Sequence, residues 1–65
     1  MTFKEWKQKV INEDKKEAYL DDDTAEICFE DSEIESLEDI PEDFINDPEG
    51  FALKEIANWN DKYIE

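Results

Sequence analysis

The sequence has no histidine, one cysteine and one glycine, and these shortages exclude several kinds of active site. Without histidine, Cys28 lacks the imidazole partner from which a Cys–His nucleophilic centre is built, and a single cysteine forms no internal disulfide. Gly50 alone cannot provide a glycine-rich phosphate loop. A glycosidase-like carboxylate pair needs a substrate cleft, for which 65 residues leave little room. The sequence therefore predicts a protein that is not an enzyme and needs no cofactor.

Long apolar runs are also missing. No run approaches the roughly 18 residues that cross a membrane, and the N-terminus lacks the apolar core of a signal peptide. A lone cysteine suits a reducing compartment. We therefore expect one small domain, residues 1–65, located in the cytoplasm and not bound to a membrane.

Basic side chains are absent from residues 17–53, which contain 15 carboxylates. Residues 1–16 carry five lysines against three acids, and residues 54–65 carry two lysines against three acids, so the net charge of −14 is concentrated in the middle of the chain. Large apolar residues are interspersed with these acids, so the stretch is expected to fold with its charge outside. Such a surface repels nucleic acid and attracts basic protein surfaces. The alternative is that the acidity only secures solubility.

The N-terminal segment has the pattern of an amphipathic helix. Thr2 and Glu5 have the spacing of a capping box, and Trp6 and Val10 recur at helical spacing. The pattern predicts a helix over residues 2–12, with Trp6 in the core.

The C-terminal segment has the clearest helix start in the chain. An aspartate, a proline and a glutamate at positions 47–49 are typical of a capped first turn. Ala52, Ile56 and Trp59 then share one stripe, which predicts a helix that ends near Ile64.

The middle of the chain is ambiguous between strands and helices. Segments 18–20 and 24–29, on either side of an acidic turn, have the pattern of two strands, and segment 34–37 that of a shorter third. Asp23 and Glu26 also match a capping box, so a helix remains possible. We predict an α+β fold in which an N-terminal helix precedes a small antiparallel sheet of two or three strands, and a C-terminal helix packs on that sheet. The alternative is an all-α domain of three or four helices.

Two further expectations follow from this pattern. Period-two alternation over residues 24–29 places Cys28 on the polar face of the predicted strand. After Pro41, one helical turn is expected to bury Ile40 and Phe44.

The acidic turn at residues 21–23 is no calcium loop. An EF-hand beginning at Asp21 requires an oxygen ligand, a glycine and a glutamate where the chain has Ala25, Glu26 and Ser32. We therefore predict no specific metal site.

The carboxylates themselves form the candidate binding site. On a strand, side chains two residues apart lie roughly 6.8 Å from each other, and one strand of B-DNA presents a charge about every 3.4 Å. Lysine and arginine bind carboxylates as they bind phosphates, by charge-assisted hydrogen bonds. The predicted partner-binding residues are Asp21, Asp22, Asp23, Glu26, Glu30, Asp31, Glu33, Glu35, Glu38 and Asp39.

Two resemblances bear on function. These ten acids, together with the Glu42–Asp43 pair, give the chain a character similar to small acidic inhibitors encoded by bacteriophages, including anti-CRISPR and anti-restriction proteins that mimic nucleic acid. The ends of the chain resemble YozE-type proteins with a sterile-alpha-like helical fold, through residues 2–6, residues 24–26 and the spacing of Trp59 and Tyr63. The first resemblance implies inhibition of a defence nuclease, and the second implies a helical housekeeping protein.

The expected function is therefore a binding inhibitor whose acids block a Lys/Arg-rich groove of a nucleic-acid-binding protein. The alternative is a protein–protein interaction module, either a homodimer or an antitoxin-like partner, with Phe51, Trp59 and Tyr63 as exposed contacts. Salt should weaken the first kind of binding steeply and the second little.

Overall fold

In the computed structural model, which describes the backbone of residues 1–63 and the side chains of residues 1–59, every regular element is helical. The three α-helices are Phe3–Ala18 (α1), Asp22–Glu30 (α2) and Pro48–Tyr63 (α3). Two short 3-10 turns, Leu37–Asp39 and Glu42–Phe44, lie between α2 and α3. The predicted α+β fold with a small antiparallel sheet is therefore wrong, and the all-helical alternative describes this part of the chain.

The start of α1 confirms the predicted capping box. The backbone N–H of Glu5 donates to Thr2 Oγ1 at 3.2 Å, and the backbone N–H of Thr2 donates to Glu5 Oε1 at 2.9 Å. These bonds satisfy donors that have no partner inside the helix. The hydrogen bonds that the Thr2 backbone and hydroxyl donate to the Glu5 carboxylate lower the pKa of Glu5.

The end of α1 lies six residues beyond the predicted end at Asn12. Residues 13–17 contain neither glycine nor proline, so nothing interrupts the helix there, and two lysines in the last turn interact favourably with the helix dipole. The helix ends at Ala18, because Tyr19 adopts the left-handed conformation at φ 55°. Residues 13–18, beyond the predicted helix, are thus part of α1.

The predicted first strand, residues 18–20, and the acidic turn, residues 21–23, contain the end of α1, a short link and the start of α2. Asp21 is its N-cap, and Asp21 Oδ1 accepts a hydrogen bond of 2.8 Å from the backbone N–H of Thr24. This bond fixes the first helical turn where the sequence pattern indicated a tight turn between strands. The third predicted strand, residues 34–37, is irregular and leads into the first 3-10 turn.

The apolar residues of α2 follow a helical period. Ala25, Cys28 and Phe29 face the core, at spacings of three and four residues. Ile27, which the period-two pattern placed on the same face as Ala25 and Phe29, is 62% exposed. The expectation that Cys28 faces outward is also wrong, because its thiol is buried in the core.

The start of α3 agrees with the prediction. Asp47 Oδ1 accepts a hydrogen bond of 3.1 Å from the backbone N–H of Gly50. A Cβ atom at Gly50 would collide with the Asp47 carboxylate, so glycine leaves the room that this cap needs. The expected end of the helix at Ile64 lies outside the described residues.

Trp6 occupies the centre of the core. Its side chain is fully buried. Its ring centroid lies 6.1 Å from that of Phe29 and 5.1 Å from that of Phe51. The indole Nε1–H donates to the carbonyl oxygen of Phe44 at 3.0 Å. Ile40 is buried as expected, whereas Phe44, in the helical turn after Pro41, is only half-buried. Trp6 thus joins α1 to α2, α3 and the second 3-10 turn.

Candidate functional site: an acidic surface and two cavities

The ten carboxylates predicted to bind a partner are all exposed. They lie on α2, at its two ends, on the segment that leads to the first 3-10 turn, and in that turn. We refer to them as the acidic surface, which consists of Asp21, Asp22, Asp23, Glu26, Glu30, Asp31, Glu33, Glu35, Glu38 and Asp39.

A column of three carboxylates runs along α2. Asp22, Glu26 and Glu30 are four residues apart in sequence, so successive members lie on one helix face with a rise of about 6 Å. Alternate phosphates on one strand of B-DNA lie about 6.8 Å apart along the axis. The predicted row of acids on a strand is thus replaced by a helical column with a similar spacing.

Two lysines of α1 partly neutralise this column. Lys15 Nζ lies 2.5 Å from Asp22 Oδ1, and Lys7 Nζ lies 3.9 Å from Glu26 Oε1. Exposed pairs of this kind contribute about 0–1 kcal/mol to stability. Within the described residues no such ion pair is found for Glu30, so the negative field is least compensated at the C-terminal end of α2.

Two members of the acidic surface have structural roles. The hydrogen bonds from the side chain and backbone of Thr24 lower the pKa of Asp21, which caps α2. Asp39 Oδ2 accepts a hydrogen bond of 3.0 Å from the backbone N–H of Glu35 and one of 3.5 Å from Ser36 Oγ. These bonds hold the irregular segment against the first 3-10 turn, so the segment keeps a defined shape.

A groove lies between the start of α1 and the C-terminal end of α2. Its volume is about 550 Å³, and Phe3 and Phe29, whose ring centroids are 6.2 Å apart, contribute aromatic walls. We call it the aromatic groove. Its other lining residues are Lys7, Ile34 and three members of the acidic surface, Glu30, Glu33 and Glu35.

Asp31 belongs to a different cavity. This second cavity, of about 200 Å³, is lined by Asp31 and Cys28 and by Glu55, Asn58 and Trp59 of α3. The acidic surface is therefore divided, since Asp31 lines this cavity while Glu30, next to it in sequence, lines the aromatic groove.

Two carboxyl groups are buried near the second cavity. Asp14 is fully buried and neither of its oxygens has a hydrogen-bond partner, and the same is true of Glu55 Oε1. Burial raises the pKa of Asp14 to about 7, and the nearby carboxylates of Glu55 and Glu13 add to the shift. Burial and the charge of Asp31 raise the pKa of Glu55 to about 7, against a smaller opposing effect of Lys54. Both groups therefore titrate near neutral pH.

Asp14 was missed because the predicted helix ended at Asn12. Once α1 is extended, Asp14 follows Trp6 and Val10 at spacings of four residues on the buried stripe. An aspartate on an apolar stripe is a recognisable anomaly in a helix of this length. The signal was therefore present in the sequence, but only for a correct helix boundary.

The apolar contacts predicted for an interaction module are rearranged. Phe51 is buried, Trp59 is partly buried at the second cavity, and the side chain of Tyr63 lies outside the described residues. Among the side chains that are described, the exposed large apolar groups include Ile27 at 62% and Leu53 at 50%. Phe51 therefore cannot be a contact residue.

The chemistry of these sites is restricted. Burial, together with the nearby carboxylates of Asp14, Glu55 and Asp31, raises the pKa of Cys28 to about 12, so its thiol does not ionise at neutral pH. The described residues contain no group of three or more His, Cys, Asp or Glu side chains arranged to hold a metal ion. None of the helices described is long and apolar enough for a membrane span. Comparisons with protein-family models, with curated proteins and with solved structures found no match.

Proposed function

We propose that this domain is a binding inhibitor without enzymatic activity, which presents its acidic surface to a Lys/Arg-rich groove of a nucleic-acid-binding protein. The observation that carries the proposal is the carboxylate column of α2, whose spacing of about 6 Å approximates that of alternate phosphates on one DNA strand. A domain with this charge pattern competes with nucleic acid for basic side chains. The resemblance to small phage inhibitors points to a bacterial defence nuclease as the target.

The C-terminal end of α2 is the expected centre of the contact. Glu30 lies there without the lysine pairing that Asp22 and Glu26 have, and five more exposed acids follow within nine residues. Ile27 is exposed one turn before Glu30 on the same side of α2. An apolar residue surrounded by charged ones is the usual composition of a protein–protein interface, with a dry centre and a polar rim.

A capture experiment with matched charge-reversal variants tests this proposal. The tagged domain is incubated with bacterial lysate at low and at high salt, and bound proteins are eluted with DNA and identified. One variant carries Glu30→Lys, Glu33→Lys and Glu38→Lys on the acidic surface. Its control carries Glu17→Lys, Glu42→Lys and Asp43→Lys, which reverse three exposed charges elsewhere.

We expect the wild type and the control to capture a basic nucleic-acid-binding protein that is released by DNA and by high salt. The acidic-surface variant should not capture it, because the charges that meet the basic groove are reversed. Capture that survives high salt, that DNA does not displace, or that both variants lose equally would contradict the proposal.

A second candidate function is an apolar interaction module, favoured by the exposure of Ile27 and Leu53. In that case the domain forms a homodimer or an antitoxin-like complex whose stability changes little with salt. Sedimentation equilibrium of the purified domain at low and high salt tests self-association. An Ile27→Asp or Leu53→Asp variant that converts a salt-insensitive dimer to monomer would support this module.

A further inference from the structure

The aromatic groove combines features that a purely electrostatic contact does not require. Its walls include the rings of Phe3 and Phe29 and the apolar side chain of Ile34. Its volume of about 550 Å³ exceeds the space needed for one side chain, and lies in the usual range of specific binding pockets. The groove can therefore take a short stretch of polypeptide.

The charge of the groove selects the ligand. Three carboxylates, those of Glu30, Glu33 and Glu35, line it together with a single ammonium group, that of Lys7. Lys7 is already engaged, since its Nζ lies 3.9 Å from Glu26 Oε1, which is outside the groove lining. The net charge at the rim is therefore negative, and this excludes phosphates and acidic peptides as ligands.

The chain itself shows how a cation sits on a phenylalanine ring. Lys7 Nζ lies 5.5 Å from the centroid of the Phe29 ring, and Lys54 Nζ lies 5.3 Å from the centroid of the Phe44 ring. Both distances are within the range of cation–π attraction. Phe29 is 2% exposed and already faces Lys7, so a basic side chain from outside meets the partly exposed ring of Phe3 instead. Its carbon stem then lies against the apolar wall and its charge at the carboxylate rim.

We propose that the aromatic groove binds an arginine-bearing, partly apolar segment of a basic protein partner. The guanidinium group is favoured over an ammonium group, because its planar fork can pair with two carboxylate oxygens and stack on an aromatic ring. The proposal rests on the proposed function, which requires a basic partner, and adds a site and a side-chain preference to it. A partner recognised by its charge alone would show neither a preference for the groove nor a preference for arginine.

Fluorescence anisotropy with two labelled hexapeptides tests the groove. One peptide alternates arginine and leucine, and the other alternates lysine and leucine, so both carry the same charge. We expect the arginine peptide to bind at least about threefold more tightly. The variant Glu30→Gln, Glu33→Gln, Glu35→Gln should weaken its binding about tenfold or more, because the guanidinium loses its carboxylate partners.

A matched control separates the groove from the overall charge. The variant Glu17→Gln, Glu42→Gln, Asp43→Asn removes three exposed charges outside the groove and should weaken binding less than about twofold. In amide NMR spectra of the wild type, the arginine peptide should shift the signals of Lys7, Phe29 and Ile34 most. This mapping needs no substitution in the apolar wall, where a variant would disturb the core.

The outcomes distinguish the two proposals. The groove proposal would be overturned if both peptides bound equally, if both variants weakened binding equally, or if the NMR shifts spread over the whole acidic surface. Each of these results would leave the proposed function standing. Absence of peptide binding, with capture of a DNA-displaceable protein retained, would also overturn only the groove. If that capture fails as well, the proposed function is overturned too.

Discussion

The same chemical group occurs in two opposite environments in this small domain. On the acidic surface, ten carboxylates face solvent. Where α1 meets α3, Asp14 and Glu55 place carboxyl oxygens out of contact with water and without hydrogen bonds. We call Asp14 and Glu55 the buried acid pair.

The difference shows that the charge of a carboxylate does not by itself determine its effect on the free energy of unfolding. An exposed carboxylate keeps its hydration, so it affects stability little and is available to a partner. A buried carboxylate without a partner resists ionisation, so it opposes folding whenever the pH favours the charged form. We therefore expect the twelve carboxylates on both sides of this comparison to contribute very unequally to stability.

The largest expected effect is a fall in stability with rising pH. The pKa values of Asp14 and Glu55 are about 7 in the folded protein, against about 4 in an unfolded chain. Between these values the folded state binds more protons than the unfolded state, so the free energy of unfolding decreases as the pH rises. We expect urea unfolding to show a loss of about 3 kcal/mol or more between pH 4.5 and 8. A free energy of unfolding that rises over this pH range would contradict the raised pKa values of Asp14 and Glu55.

The next effect isolates Asp14. Asp14→Asn keeps the size of the side chain but removes its ionisation, so it should raise the free energy of unfolding at pH 8 by about 2 kcal/mol. At pH 4.5, where Asp14 is already protonated in the folded state, the gain should nearly vanish. Glu38→Gln, the same change on the acidic surface, serves as control and should alter stability by less than about 0.5 kcal/mol. Equal effects of Asp14→Asn and Glu38→Gln on the free energy of unfolding would contradict the proposed difference between buried and exposed carboxylates.

A smaller effect comes from an exposed acid that does have a structural partner. Asp47→Ala removes the acceptor of the Gly50 N–H at the start of α3 and should lower stability by about 1 kcal/mol. Asp47→Ser, which also caps, should recover most of the loss in thermal unfolding. If alanine and serine behave alike, the cap contributes nothing.

The smallest effect belongs to the ion pair between Lys15 and Asp22. Despite its separation of 2.5 Å, Asp22 is 81% exposed, so the coupling energy should be about 0.2–1 kcal/mol. A double-mutant cycle with Lys15→Ala and Asp22→Ala measures it, and 1 M salt should abolish it. A coupling that persists in high salt would show that the pair is shielded from solvent.

The parts of the fold that were predicted correctly depend on local signals. Thr2 and Asp47 act within three or four residues of themselves, so the helix starts could be identified from the sequence. Trp6 was placed in the core because its neighbours on the stripe lie in the same well-marked helix. Local capping chemistry and a long apolar stripe were sufficient in these places.

Residues 18–37 were predicted wrongly because two periods fit the same few residues. Ala25 and Phe29 lie on one face both in a strand and in a helix, and only the exposed Ile27 and the buried Cys28 distinguish the two. Tertiary packing against α1 decided the outcome, and this packing is not visible in six residues. The residues that line the two cavities could not be predicted either, because they are brought together by the packing of α2 against α1 and α3.

The hydrogen bond from Trp6 to Phe44 joins residues that are 38 positions apart in the chain. It closes a loop that contains the whole acidic surface, and the entropy of closing that loop is lost once, during folding. In the proposed complex, the charged segment therefore meets the basic protein already confined at both ends. Binding in that complex would order little additional chain, so less conformational entropy would be lost than for a flexible acidic tail of the same composition, and the affinity would be higher.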